Sequence, residues 1–181
     1  PILLYKCRWW TNRIIVTSKY QNKLVLFGAG KIGRSFIGQL FSRGGYEVVF
    51  IDVYKPVIDE LNHRHNYYLV IKGDAESVIN IQNVRGVFAY DVENVNHEIA
   101  TARIAAISVG LNGLKSVIPL IVSGLGKRYE TAGASPLDII IAENLRNAAE
   151  FLKQELQKLL PEGYPLEERA GFIETSIGKM V

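Results

Sequence analysis

The chain has 181 residues, 48% of them apolar and 22% charged, enough for one sizeable core and too few for two full domains. Its net charge of +3 sits in the lead-in: residues 1–22 carry Lys6, Arg8, Arg13 and Lys19 and no acid, which leaves the remainder at −1, without the basic stripe of a nucleic-acid binder. The single Cys7 excludes an internal disulfide framework, and the lack of a long uncharged apolar run or a secretory leader predicts a cytoplasmic protein with no membrane partner.

The lead-in, PILLYKCRWWTNRIIVTSKYQN, holds both tryptophans and no clear period. It reads either as an extension ahead of a domain that begins at Lys23 or as a basic, aromatic arm for a partner or polyanion. From Lys23 the pattern turns regular. Leu24 to Phe27 predict a short apolar strand, and Ile32, Phe36, Leu40 and Phe41 recur at helical spacing up to a Gly44-Gly45 stop. YEVVFID, ending at Asp52, is a second strand, and Pro56 opens a short helix with Val57, Ile58 and Leu61 on its apolar side. Residues 66–90 read as β-rich: two strands about a turn at Gly73-Asp74, then a strand near Val87 to Tyr90.

Arg103 to Val109 predict the next strand, ending at Gly110. A helix from Asn112 to Val122 follows, which Pro119 is expected to kink or restart. LDIIIAEN is a short apolar strand, and Leu145, Ala149, Leu152, Leu156 and Leu159 form the stripe of a long helix that stops before Pro161 and Gly163. Apolar strands separated by helices imply a parallel sheet covered on both faces. The predicted fold class is α/β, a Rossmann-like, doubly wound, mainly parallel sheet with helices on both faces.

Gly28-Ala29-Gly30-Lys31-Ile32-Gly33 fits GxGxxG where a strand passes into a helix. Gly28 permits the tight turn, Gly30 lets backbone approach a pyrophosphate, and Gly33 lets the helix pack on the sheet. The free N–H groups of the helix N-terminus would hold the phosphates. Asp52 closes the second strand 19 residues after Gly33, where an acid accepts hydrogen bonds from ribose hydroxyls and repels a 2′-phosphate, favouring NAD over NADP; Lys55 nearby would soften that preference. Because ligands of open α/β sheets bind at the carboxyl ends of strands, Ser108, Val109, Gly110 and Leu111 are expected beside the cofactor. Asn144, after IIIAE, lies at the corresponding edge, either near the nicotinamide or as a helix N-cap.

LVLFGAGKIGRSFIG, VIDELNHRHNYYLV, SPLDIIIAENL and the closing GFIETSIGKMV together resemble the polyol-specific long-chain dehydrogenase/reductase family, in its mannitol-1-phosphate branch. The resemblance runs from Lys23 to Val181 and implies a metal-independent, NAD-linked interconversion of mannitol 1-phosphate and fructose 6-phosphate. It also implies that Gly28, Gly30, Gly33 and Asp52 bind cofactor, and that Asn144 lies near the substrate oxygen, where a donor would stabilise the charge developing on a carbonyl that receives hydride.

In that family the general base is a lysine in a Lys-x4-Asn-x2-His arrangement on a mostly helical C-terminal domain. No such arrangement occurs here; Lys55, Glu60 and His63 have Glu in place of Asn, and Lys179 is not expected to serve as the base. The expectation is that the natural chain continues beyond Val181 and that this part alone binds dinucleotide without appreciable turnover. His63-x-His65 reads as a polar helix end rather than a metal site, and the Gly126-Lys127-Arg128 stretch as a solvated loop rather than a phosphate clamp. Within the same class a mannitol 2-dehydrogenase or a hexuronate reductase would use a similar nucleotide site. From another class, a non-catalytic NAD-responsive binding module would use the basic arm.

Overall fold

Leu24, Val25, Leu26 and Phe27 are all fully buried, because β1 (Lys23–Phe27) runs through the middle of a sheet with helices packed on both faces. The computed structural model describes residues 22–72, 76–131, 135–175 and 177. Residues 1–21 of the lead-in, Cys7 among them, the Gly73-Asp74 turn and Lys179 lie outside the described residues.

Flanking β1 are β2 (Glu47–Asp52) and then β5 (Val84–Phe88) on one side, and β6 (Ile104–Ile107), β7 (Leu137–Ile141) and β8 (Ala170–Glu174) on the other. All five pairings are parallel. Counting only these strands in chain order, the sheet reads 3-2-1-4-5-6, the doubly wound order in which connections leave β1 and β6 towards opposite faces. An antiparallel hairpin, β3 (Asn66–Ile71) and β4 (Ser77–Gln82), forms a separate two-stranded sheet.

Alternation along the strands divides the core into two layers. Val25, Phe27, Val49 and Ile51 face α3 (Val92–Thr101), α4 (Leu111–Glu130) and α5 (Ala148–Leu159). Leu24, Leu26, Val48 and Phe50 face the opposite layer, which includes Ile37, Ile58 and Leu61 with Ile81 of the hairpin. There a π-wound stretch, Gly33–Gly38, runs into α1 (Gln39–Arg43), and α2 (Lys55–Arg64) begins at the expected proline. The Tyr67 hydroxyl donates to the Arg34 carbonyl of that stretch at 2.6 Å, and burial raises its pKa.

At the end of the sheet where strands begin, Lys23, Glu47 and Arg85 converge on Glu98 of α3. Lys23 Nζ lies 2.6 Å from Glu98 Oε2, and Arg85 donates to both Glu98 oxygens at 2.8 Å while its Nε reaches Glu47 at 2.8 Å. This cluster ties α3 across three strands and lies at the opposite end of the sheet from the carboxyl edge.

Several expectations change. Residues 92–101, given no element by the sequence reading, form α3, whose N-cap Asp91 accepts from Asn94 N–H and whose Val95 and Ile99 are buried. The closing segment contributes the edge strand β8. Pro119 does not restart α4, which continues from Leu111 to Glu130; both Pro119 and Lys115 are exposed, so water can reach the carbonyl deprived of its partner. Gly126-Lys127-Arg128 is the last turn of that helix, not a loop. Arg128 is 3% exposed and donates to the carbonyls of Ile99, Ala100 and Ala102, replacing partners lost where α3 ends. The strand expected at Val87 to Tyr90 is Val84–Phe88, with Tyr90 exposed in the turn beyond it. Finally, α5 begins at Ala148 and buries Ala148, Leu152 and Leu156, while Leu159 is exposed and Leu145 precedes the helix.

Candidate functional site

The turn after β1 and the turn after β6 diverge and leave a cleft of about 550 Å³ at the carboxyl edge of the sheet. Gly30, Lys31 and Ile32 form one wall. Ser108, Val109 and Gly110 form a second, with Ala142, Glu143 and Asn144 after β7 as a third. Ile177, from the segment after β8, also lines it; Thr175 holds that segment to the end of β7 by donating its N–H and hydroxyl to the Ile141 carbonyl.

The three glycines of the motif play different parts. Gly28 has φ +99°, and a Cβ there would stand 2.1 Å from the Ser108 carbonyl oxygen, so only glycine lets the β1 and β6 turns touch. A Cβ on Gly33 would stand 2.1 Å from the Gly28 oxygen, which puts the helix directly against the turn. At Gly30 a Cβ would meet nothing within 4 Å. The fold itself does not require glycine there, and the free space opens onto the cleft. Gly28, Ala29 and Gly33 are buried beneath the cleft rather than lining it.

Asp52, at the end of β2, reaches the same turn. Its Oδ2 accepts from Ala29 N–H at 2.7 Å and its Oδ1 from Tyr54 N–H at 2.8 Å. Arg34 Nη1 donates to the Ala29 carbonyl at 2.5 Å. Lys55 turns away along α2 and pairs with Asp59 at 2.7 Å, so the charged groups held against the glycine turn are Asp52 and Arg34. Leu111, the first residue of α4, is 53% exposed and is not part of the cleft wall.

Asn144 is exposed at the cleft and takes no hydrogen bond among the described residues. It is not the helix cap: α5 starts after Asn147, which occupies the cap position at φ 57°. The sequence reading passed over its neighbour. Glu143 is 7% exposed, and its Oε1 accepts from both Val109 N–H at 2.6 Å and Gly110 N–H at 2.9 Å. Burial raises its pKa, and the two N–H donors oppose that rise. The signal available in sequence was an ionisable residue closing an apolar strand, next to an asparagine already singled out.

His63 lies in the last turn of α2, and His65 caps it at φ 54°. Among the described residues no group of three or more His, Cys, Asp or Glu is arranged to hold a metal ion, and no helix is long and apolar enough to cross a membrane.

Comparison with known proteins gives this geometry a lineage. The chain is 38% identical over 162 residues to the mannitol-1-phosphate 5-dehydrogenase of Lactococcus lactis subsp. lactis (strain IL1403), covering 88% of this chain and 42% of that relative. In fold it is similar to a conserved hypothetical protein from Sinorhizobium meliloti 1021, at a TM-score of 0.50 with 12% identity over 93% of this chain and 46% of the other. A ketopantoate reductase of the PanE/ApbA family from Ralstonia eutropha JMP134 also has a TM-score of 0.50, with 18% identity over 84% and 40%. The family model for the mannitol dehydrogenase Rossmann domain matches residues 22–181. The fold, the glycine turn and this match agree on one assignment: the chain belongs to the mannitol dehydrogenase family, as its Rossmann domain, an oxidoreductase module whose fold implies a nucleotide cofactor.

Proposed function

We propose that residues 23–181 hold NAD(H) in the cleft and serve as the cofactor half of an enzyme that interconverts mannitol 1-phosphate and fructose 6-phosphate, residues 1–22 being an extension outside that unit. The observation that carries the cofactor reading is the contrast among the glycines: Gly28 and Gly33 are required by packing, whereas Gly30 faces open space that a phosphate can use. The site fits the group in its donors as well. Backbone N–H groups at the start of the helix after β1 supply positive charge for a pyrophosphate. Asp52 supplies an acceptor at the adenosine side, its charge favouring a ribose 2′-hydroxyl over a 2′-phosphate, which is the basis for proposing NAD rather than NADP.

When bound, the nicotinamide supplies or takes the hydride. The chain's own part is to hold the ring against the ends of β6 and β7, exclude water with Val109, Ala142 and Ile177, and present the Asn144 amide to the substrate oxygen. A donor at that position stabilises the negative charge that grows on a carbonyl as it is reduced. The resemblance implies a proton-transferring lysine in a C-terminal domain, a reading that the 42% coverage of the mannitol-1-phosphate 5-dehydrogenase supports. The sugar-phosphate substrate is proposed from that relative's name.

Two measurements test the reading. Titration of the chain with NADH and NADPH should give saturable binding with NADH preferred, and no binding of either would refute the cofactor assignment. Joined to the C-terminal part found in its longer relatives, the protein should reduce fructose 6-phosphate with NADH far faster than free fructose. Equal rates would instead favour a mannitol 2-dehydrogenase.

A further inference from the structure

Glu143 has two oxygens in two different settings. Oε1 is committed, since it accepts both backbone N–H groups that open the turn into α4. Oε2 takes no hydrogen bond among the described residues, although the residue is 7% exposed and lines the cleft. A carboxylate oxygen left without a protein partner at the wall of a cleft is free to accept from a donor that enters it. Nothing in the packing of β7 needs a charge here, because Ala142 N–H already pairs with the Ile107 carbonyl at 2.9 Å.

Position decides which donor. Asp52 closes β2, and Glu143 follows β7, with β1 and β6 between them. At about 4.8 Å per strand the two carboxylate-bearing ends lie roughly 14 Å apart across the carboxyl edge. A dinucleotide whose pyrophosphate rests on the turn after β1 has its adenosine on the Asp52 side and its other base on the Glu143 side. The polar group of a nicotinamide is its carboxamide, whose NH₂ donates, and an ionised carboxylate can only accept.

We propose that Glu143 is a cofactor-recognition residue: Oε1 anchors the β6–α4 turn through Val109 and Gly110, and Oε2 accepts from the carboxamide NH₂ of a nicotinamide in the cleft. The inference rests on the nucleotide reading above and adds a specificity to it. The site favours the amide over the corresponding acid, whose carboxylate would face Glu143 charge to charge.

The probes are NAD⁺, nicotinic acid adenine dinucleotide and ADP-ribose, titrated calorimetrically into the 181-residue chain and into Glu143→Gln. In the variant, the N–H groups of Val109 and Gly110 orient the new amide with its oxygen towards them, so the turn stays anchored while the acceptor facing the cleft becomes a donor. The native chain should bind NAD⁺ about tenfold or more tighter than the acid form. Glu143→Gln should narrow that ratio severalfold and leave ADP-ribose affinity unchanged. An equal affinity of the native chain for the two dinucleotides overturns the proposal, and that comparison holds whether or not the variant folds. So does a variant that keeps the full ratio, or one that weakens ADP-ribose as much as NAD⁺, since Glu143 would then only hold the turn. Failure of the native chain to bind ADP-ribose and NAD⁺ alike defeats the nucleotide reading itself.

Discussion

Asp52 is bonded to Ala29: its Oδ2 accepts the Ala29 N–H at 2.7 Å, across 23 residues of sequence, so the end of β2 and the glycine turn after β1 form one unit. A carboxylate held this way is pre-positioned for any hydroxyl that enters beside the turn. Asp52→Ala is expected to weaken NADH binding about tenfold while changing NADPH less, so the preference between them shrinks. Paired fluorescence titrations check this, and an unaltered preference would mean that Asp52 acts only on the turn.

The glycines separate stability from binding. Gly28→Ala puts a side chain at φ +99° and a Cβ 2.1 Å from the Ser108 oxygen, and should cost about 2 kcal/mol or more of folding stability. Gly30→Ala meets no atom within 4 Å. Its stability should stay within about 0.5 kcal/mol of the parent, while dinucleotide affinity falls by at least about tenfold as the methyl group occupies the pyrophosphate's approach. Urea unfolding and ligand titration on both variants give the comparison.

Glu98 makes the fold acid-sensitive. Burial alone would raise its carboxyl pKa, but hydrogen bonds and charge from Arg85 and Lys23 outweigh it and hold it below the ordinary carboxylate range. An acid depressed in the folded state stabilises above its unfolded pKa, and that contribution disappears as pH falls through the folded value. Glu98→Ala should cost about 3–5 kcal/mol at neutral pH, because Lys23 and Arg85 lose their shared partner. The gap between Glu98→Gln and the native chain should shrink below about pH 4. Denaturant unfolding at several pH values measures both, and a gap independent of pH would remove the argument.

Asn144 should show the opposite signature from Asp52. In the longer protein, Asn144→Ala is expected to lower kcat about 10²-fold or more, as loss of an oxyanion donor does, with NADH affinity within about twofold. Steady-state kinetics with parallel NADH titration decide it. A proportional loss of cofactor affinity would reassign the residue to binding.

Much of this architecture is legible in short stretches. The apolar run from Leu24 to Phe27, the three glycines and Asp52 lie close enough in the chain for periodicity and turn chemistry to reveal them. The helix α3 was missed although Asp91, Val95 and Ile99 carry its cap and its period, because its ten residues follow a β-rich stretch without a glycine or proline marking its start. Arg128 was misread for a different reason. Its surroundings look polar and loop-like in sequence, and only the carbonyls at the end of α3, 26 to 29 residues away, give its guanidinium a buried place.

The sequence by itself determined the fold class and the location of the glycine turn, since both follow from local pattern: which residues must be apolar, and where a chain must bend without a side chain. Only the tertiary structure decided how distant residues meet. Lys23 finds Glu98 across 75 positions, and Glu143 finds Val109 across 34. These pairings depend on strand order and on which strand ends lie side by side, and no local period carries that information.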